Sequence, residues 1–170
     1  LAIRGKLVYQ DPTDEPASKL LERICSEKEE LIKQGKLKRD KKESIIYKGD
    51  DNSYYHHIDT EDSVYTKRLD LPEGWAACEL KDVSYLIGSK NNQIKSSEIQ
   101  ESGKIPVIGQ GADDFDGFDD DESIAIKDTP VVLFGDHTKN VKYINEPFII
   151  GADGTKIHKF ISVDEKYAYY

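Results

Sequence analysis

Methionine is absent from all 170 residues, tryptophan occurs once, at Trp75, and cysteine twice, at Cys25 and Cys78. Two cysteines so far apart, with no CxxC or comparable partner, exclude a disulfide framework and a zinc ribbon. A reducing cytoplasm is the compartment this usage points to. Apolar runs are all too short to approach the roughly 20 residues that span a bilayer, so no membrane partner is expected. The opening LAIRGKLVYQ lacks the basic and apolar regions of a signal peptide, and also an initiator methionine. We therefore expect the chain to begin inside a longer protein. The closing VDEKYAYY reads as a helix just starting, so an interruption is expected there too. Internal repeats are missing as well.

Charge is what the chain has in abundance: 34% of residues are charged, 37% are hydrophobic, and the formal net charge is −9. It is uneven. Residues 1–49 hold 12 Lys/Arg against 9 Asp/Glu, a balance of +3, and residues 50–170 hold 12 against 24, a balance of −12. Bulk acidity disfavours a nucleic-acid partner. It does not exclude one, because phosphate binding depends on where the cations sit.

Residues 14–35 read as a helix. Asp14 or Glu15 can cap it, Pro16 fits its first turn, and Ala17, Leu20, Leu21, Ile24, Lys28 and Leu31 recur on one stripe. Gly35 supplies the stop. The preceding LAIRGKLV resembles the frayed end of an earlier helix broken at Gly5. From Lys36 to about Asp70 the chain is polar and reads as a linker, with at most a short strand near Ile45–Tyr47. His56 and His57 fall in it as exposed residues without a third metal ligand at useful spacing. At Leu71 the character changes. Pro-Glu-Gly makes a turn, Trp75 anchors, and short runs then alternate with turn residues: IPVIG, SIAI, VVLFG, VKYI, PFIIG and KIHKFI. These read as strands of a curved mixed or antiparallel sheet, with helices at the ends, and α+β is the expected class.

Three motifs carry possible chemistry. GADDFDGFDDDES lacks the Gly and Glu positions of an EF-hand loop and reads as a solvated turn. GQG at 109–111 is too short for a phosphate fingerprint and instead suggests a sharp turn presenting Gln110. In VVLFGDHTKNVKYI, the neighbours Asp136 and His137 suggest a catalytic pair at first sight. They would diverge in an extended strand, and no nucleophile context occurs elsewhere; Asp153 or His158 would be needed for a metal. The strand-loop-strand reading buries Val131–Phe134, turns at Gly135–Asn140 and returns through Val141–Ile144. Asp136 and His137 then brace the loop, as can Thr138, while Thr138, Lys139, Asn140 and Lys142 offer a cluster of donors. Asn and Gln suit adenine edges, and Lys suits phosphate or guanine.

The phrases LAIRGKLVYQDPTDEPASKLLERICSEKEELIKQGKLK and LPEGWAACELKDV, with GKIPVIGQGADDFDGF and VVLFGDHTKNVKYINEPFIIGADGTKI, resemble specificity subunits of type I restriction–modification systems. The resemblance covers nearly all of the chain outside residues 45–68. It implies a non-catalytic subunit that reads bipartite DNA through two target recognition domains spaced by helices. Partner methyltransferase subunits using S-adenosylmethionine, and an endonuclease/translocase subunit using ATP and Mg, would supply the chemistry. This chain itself would hold no cofactor or metal.

The expected organisation is a helical segment at 1–49, a polar linker at 50–70 and a DNA target recognition domain at 71–170. The expected DNA contacts are Lys90, Asn92, Gln93, Lys95, Gln110, Thr138, Lys139, Asn140 and Lys142, on double-stranded DNA. Two other architectures fit the same residues, a recognition domain of a single-chain restriction–methylation enzyme and a homodimeric half-subunit. A small hydrolase using Asp136 and His137 is the reading from a different class.

Overall fold

The computed structural model describes residues 5–39, 45–51, 53–59, 64–69, 71–151 and 154–170. Contacts divide the chain into two units, Leu1–Val83 and Ser84–Tyr170.

The first unit is built on α1, Ala17–Lys33. No side chain caps its start; the N–H of Ala17 donates to the Gly74 carbonyl at 2.9 Å instead of leaving that work to Asp14 or Glu15. At the other end Gly35 takes φ 71, and the N–H groups of Gly35 and Lys36 return to the carbonyls of Ile32 and Leu31, both at 2.9 Å. A glycine is the residue that enters this left-handed conformation without a Cβ penalty. Of the apolar stripe, Ile24 is fully buried and Leu20, Leu21 and Leu31 are half-buried. Lys6–Val8 are not helical; the expected earlier helix, ahead of its break at Gly5, lies outside the described residues.

The short strand expected near Ile45–Tyr47 is β1, Ile45–Lys48, and the expected linker after it instead supplies β2 at Tyr54–Asp59 and β3 at Val64–Leu69, which complete a three-stranded antiparallel sheet in that order. YYHHID and VYTKRL are rich in aromatic and β-branched residues, which suits a pleated backbone despite the polar composition. The Gly49 N–H closes the first turn onto the Ser53 carbonyl at 2.9 Å, and the Tyr47 and Tyr55 rings stack at 5.7 Å. The backbone of His56 and His57 runs in β2, and the expected exposure of their rings lies outside the described residues.

The phrase that reads as the opening of the recognition domain packs into the first unit. Trp75 Nε1 donates to Gln10 Oε1 at 2.9 Å, and Gly5 lies against Pro72 and Trp75. A four-residue helix, α2 at Leu80–Val83, packs on α1 and ends this unit.

The second unit is an α+β body made of two sheets. One is antiparallel, with β4 (Ser84–Ile87), β10 (Thr155–Phe160), β7 (Val131–Gly135) and β8 (Val141–Ile144) in that order. The other is mixed: β6 (Gly117–Asp119) pairs antiparallel with β5 (Ile105–Ile108), which pairs parallel with β9 (Ile149–Ile150). The helix suspected at the C-terminus is α3, Glu165–Tyr169, capped by Asp164 through a 2.8 Å bond from the Tyr167 N–H. SIAI does not form a strand; Ile126 alone bridges to Phe148. Ser123 is drawn into a turn by Asp121 Oδ1, which accepts from its N–H at 2.9 Å and its hydroxyl at 2.6 Å.

Among the described residues, two clusters hold this unit together. Ile108, Ile126, Val131, Leu133, Ile144, Phe148, Ile150 and Ile157 form the larger, and Ile94, Ile105, Val107 and Ile149 the smaller. Burying one such side chain stabilises by roughly 1.5–3 kcal/mol, so the apolar runs fix the strand positions. Register then sets the loops. Gly135 pairs with Thr155, which places the β7–β8 loop beside the turn that leads into β10.

Candidate nucleic-acid interface

Three chain segments meet where β5 ends, β7 ends and β10 begins. The β7–β8 loop closes on itself first: the Gly135 N–H donates to the Asn140 carbonyl and the Lys139 N–H to the Gly135 carbonyl, both at 2.9 Å. Lys139 takes φ 63, a conformation uncommon outside glycine, asparagine and aspartate. The Asp136 N–H then reaches the Gly154 carbonyl at 2.8 Å.

Gln110 ties this loop to the turn after β5. Its Oε1 accepts from the His137 N–H at 3.2 Å. Its main-chain oxygen accepts from Thr138 Oγ1 at 2.7 Å and from Asn140 Nδ2 at 3.0 Å. Thr138 Oγ1 also accepts from the Asn140 N–H at 3.2 Å. Packing at this junction is close. A Cβ on Gly135 would lie 2.4 Å from Thr138 Oγ1 and 2.8 Å from Gln110 Cβ. One on Gly154, at φ +79, would lie 2.9 Å from Gln110 Nε2 and 3.0 Å from His137 Cδ2.

These bonds sort the expected contact residues. Gln110, Thr138 and Asn140, expected to face DNA, spend hydrogen-bonding groups inward as the braces of the loop. Asp136, expected to bond loop amides through its carboxylate, instead pairs with Lys156 at 3.4 Å, and its carbonyl accepts from Lys139 Nζ at 2.7 Å. His137 contributes its backbone to the bracing, while the residue itself is exposed. Lys139 is exposed too, its Nζ 5.6 Å from the centre of the Phe134 ring. Lys142 Nζ donates to the Asp113 carbonyl, so the acidic stretch after Gly111 lies against the same region.

Lys90, Asn92, Gln93 and Lys95 occupy a different loop, made of two short 3-10 turns at Lys90–Asn92 and Ser96–Glu98. Asn92 is committed there: its Oδ1 accepts from the N–H and hydroxyl of Ser89, and its Nδ2 donates to the Ile124 carbonyl at 3.0 Å. Gln93 forms a backbone bridge to Ile150. Lys90 is exposed, and Lys95, exposed as well, makes a long ion pair of 3.7 Å with Glu98.

Beside Asn140 and Lys142 opens a cleft of about 710 Å³ whose lining includes Phe115, Tyr143, Tyr169, Asp114 and Glu146. Rings of this kind stack on bases, and Lys142 and Lys166 in the lining suit phosphate, against the repulsion of the two carboxylates. Sequence reasoning missed the aromatic residues because they come from separate segments. It also missed Gly154 and Lys156; the Asp-Gly pair ahead of KIHKFI was the available signal for a turn there.

The geometry gives the Asp136–His137 pair no catalytic form. The Asp136 carboxylate faces Lys156, and among the described residues the His137 ring has no hydrogen-bond partner. Of the residues considered for a metal, Asp153 lies outside the described residues. His158 Nδ1 is 3.0 Å from Ser84 Oγ, a pair joining β10 to β4. No group of three or more His, Cys, Asp or Glu among the described residues is arranged to hold a metal. No described helix is long and apolar enough to cross a membrane.

No family model matches the chain, and no solved structure does. Over 84 residues it is 46% identical to the Type I restriction enzyme EcoEI specificity subunit of Escherichia coli. Over 75 residues it is 48% identical to the Type I restriction enzyme EcoAI specificity subunit of the same organism. These alignments cover 49% and 44% of this chain, and 11% and 10% of those relatives. Over about half its length, the chain is thus a relative of type I restriction enzyme specificity subunits.

Proposed function

We propose that this chain is the DNA-reading part of a specificity subunit, in which the unit Ser84–Tyr170 recognises one half of a bipartite site in duplex DNA. The observation that carries the reading is the 46–48% identity to two specificity subunits over about half the chain. The loop system at Gln110 and 135–140 supports it, since a rigid loop at the end of a sheet is a suitable base-reading element. The subunit is non-catalytic and acts in the cytoplasm. It directs methyltransferase subunits, which use S-adenosylmethionine, and an endonuclease/translocase subunit, which uses ATP and Mg. Lys90, Lys95 and Lys142 contact phosphate.

The test is to graft Ser84–Tyr170 into an intact type I specificity subunit, replacing the matching part of one recognition domain, and to map adenine methylation. The expected result is a new sequence in one half-site and an unchanged sequence in the other. An assembled, active complex that still methylates only the host's original site overturns the reading.

A further inference from the structure

We infer that His137 and Lys139 are the DNA-facing groups of the β7–β8 loop, and that Gln110 is a positioning residue that acts through this loop without reading a base. The inference rests on the proposed DNA-reading function and goes beyond it by dividing the loop into readers and clamp.

The division follows from where each polar group is spent. To read adenine, an asparagine or glutamine must present its amide oxygen and nitrogen together, as a fork. Asn140 has turned its Nδ2 to the Gln110 carbonyl at 3.0 Å, and Thr138 its hydroxyl to the same oxygen at 2.7 Å. Gln110 holds the His137 N–H with its Oε1, while its Nε2 lies close to Gly154. Three side chains that suit base edges by type thereby each commit a hydrogen-bonding group to the backbone of the loop system.

What remains at the surface is different chemistry. The His137 ring is exposed and has no hydrogen-bond partner among the described residues. An imidazole offers one N–H donor and one acceptor when neutral, and two donors when charged. It can therefore donate to guanine O6 or N7, or accept from the exocyclic amine of adenine or cytosine. Lys139 keeps one N–H on the Asp136 carbonyl, which leaves the ammonium two more for a phosphate oxygen. Its backbone sits at φ 63, in a region that a lysine adopts only when its surroundings impose it. Here the surroundings are the bond from the Lys139 N–H to the Gly135 carbonyl and those from its neighbours Thr138 and Asn140 to the Gln110 carbonyl, so the clamp and the two presented side chains form one device.

The experiment uses the full chain, selection from a randomised duplex library, and hydrogen exchange of the His137 amide. The wild type is expected to enrich a sequence motif and to protect that amide. H137A is expected to lose preference at one or more positions of the motif, by roughly ten-fold, with its unfolding midpoint unchanged. K139A is expected to bind every sequence more weakly and to lower the salt slope by about one. Q110A is expected to lose amide protection together with the preference that H137A loses. Q110E keeps an acceptor at Oε1 and is expected to retain both the protection and the motif. If the wild type enriches a motif that H137A leaves intact, His137 is not a reader and the inference falls alone. If Q110E changes the motif while the amide stays protected, Gln110 itself reads the base, and the inference again falls. A folded wild type that enriches nothing sinks the proposed function and the inference with it.

Discussion

Asn140 Nδ2 donates to the main-chain oxygen of Gln110 at 3.0 Å, across 30 residues of sequence. The same oxygen takes the Thr138 hydroxyl, so a single carbonyl at the end of β5 orders a loop that belongs to another sheet. Backbone bonds within the loop set its shape, and these side-chain bonds set its position. Measured consequences follow from each.

Thr138→Val keeps the shape of the side chain and removes both hydroxyl bonds. The site is exposed, so water replaces part of what is lost, and the expected destabilisation is about 1 kcal/mol. Urea unfolding checks it. Thr138→Ser, which retains the hydroxyl, is expected to stay within about 0.5 kcal/mol of the wild type. Equal losses in both variants would show that the hydroxyl is not what holds the loop.

Gly154→Ala tests the close approach at the turn before β10. The alanine must adopt φ near +79 and place its Cβ 2.9 Å from Gln110 Nε2. The left-handed conformation alone costs about 1–2 kcal/mol for a residue with a Cβ. Because Gly154 also accepts the Asp136 N–H, the expected signature is a stability loss accompanied by faster exchange of the Asp136 amide. A stable variant with unchanged exchange would contradict the crowding.

The strands of the second unit were legible because their sequence is apolar where they are buried. VVLFG holds Val131, Val132 and Leu133 in the core, and IPVIG holds Ile105, Val107 and Ile108. The loop was legible as a loop, from Gly135 and the polar run after it. Which of its side chains turn inward was not, because the deciding acceptor is a carbonyl near position 110 that no local pattern announces. Of the sheet at 45–69 the short strand near Ile45–Tyr47 was legible, while β2 and β3 stayed hidden for a different reason. Their composition is polar, and YYHHID and VYTKRL show no alternation of apolar with polar residues, so they resemble a linker. SIAI misled in the opposite sense, since an apolar run satisfied by a single bridge at Ile126 contributes core without contributing a strand.

Leu133→Ala probes the core that positions the loop. Leu133 is 0% exposed on the strand that leads into Gly135, and truncating it leaves a cavity in the larger cluster. The expected loss is about 3 kcal/mol by urea unfolding. Leu86→Ala is the comparison, since that leucine is 56% exposed on β4, and a change within about 0.5 kcal/mol is expected. Similar losses at the two positions would refute the assignment of β7 to the core.

His158 gives the second unit a dependence on pH with a defined sign. Burial holds its pKa below the usual 6.5. Its Nδ1 lies 3.0 Å from the hydroxyl of Ser84, which is 2% exposed. In the unfolded chain the imidazole takes up its proton near pH 6.5, while the folded protein resists until the solution is more acidic. The unfolded state therefore binds more protons in that interval, and stability falls as pH drops. The contribution is fully present above about pH 6.5 and is lost as pH falls through the depressed folded value. Its slope stays below about 1.4 kcal/mol per pH unit, the limit for one proton. Asp121, whose pKa is lowered from 3.8 by its bonds from Ser123, acts only in more acidic solution. Replacing His158 with Asn keeps a polar group near Ser84 and removes the titration. Urea unfolding of the two proteins from pH 7.5 down to 5 is expected to give a falling midpoint in the wild type and a flatter one in H158N. Parallel profiles would assign the pH dependence to other groups.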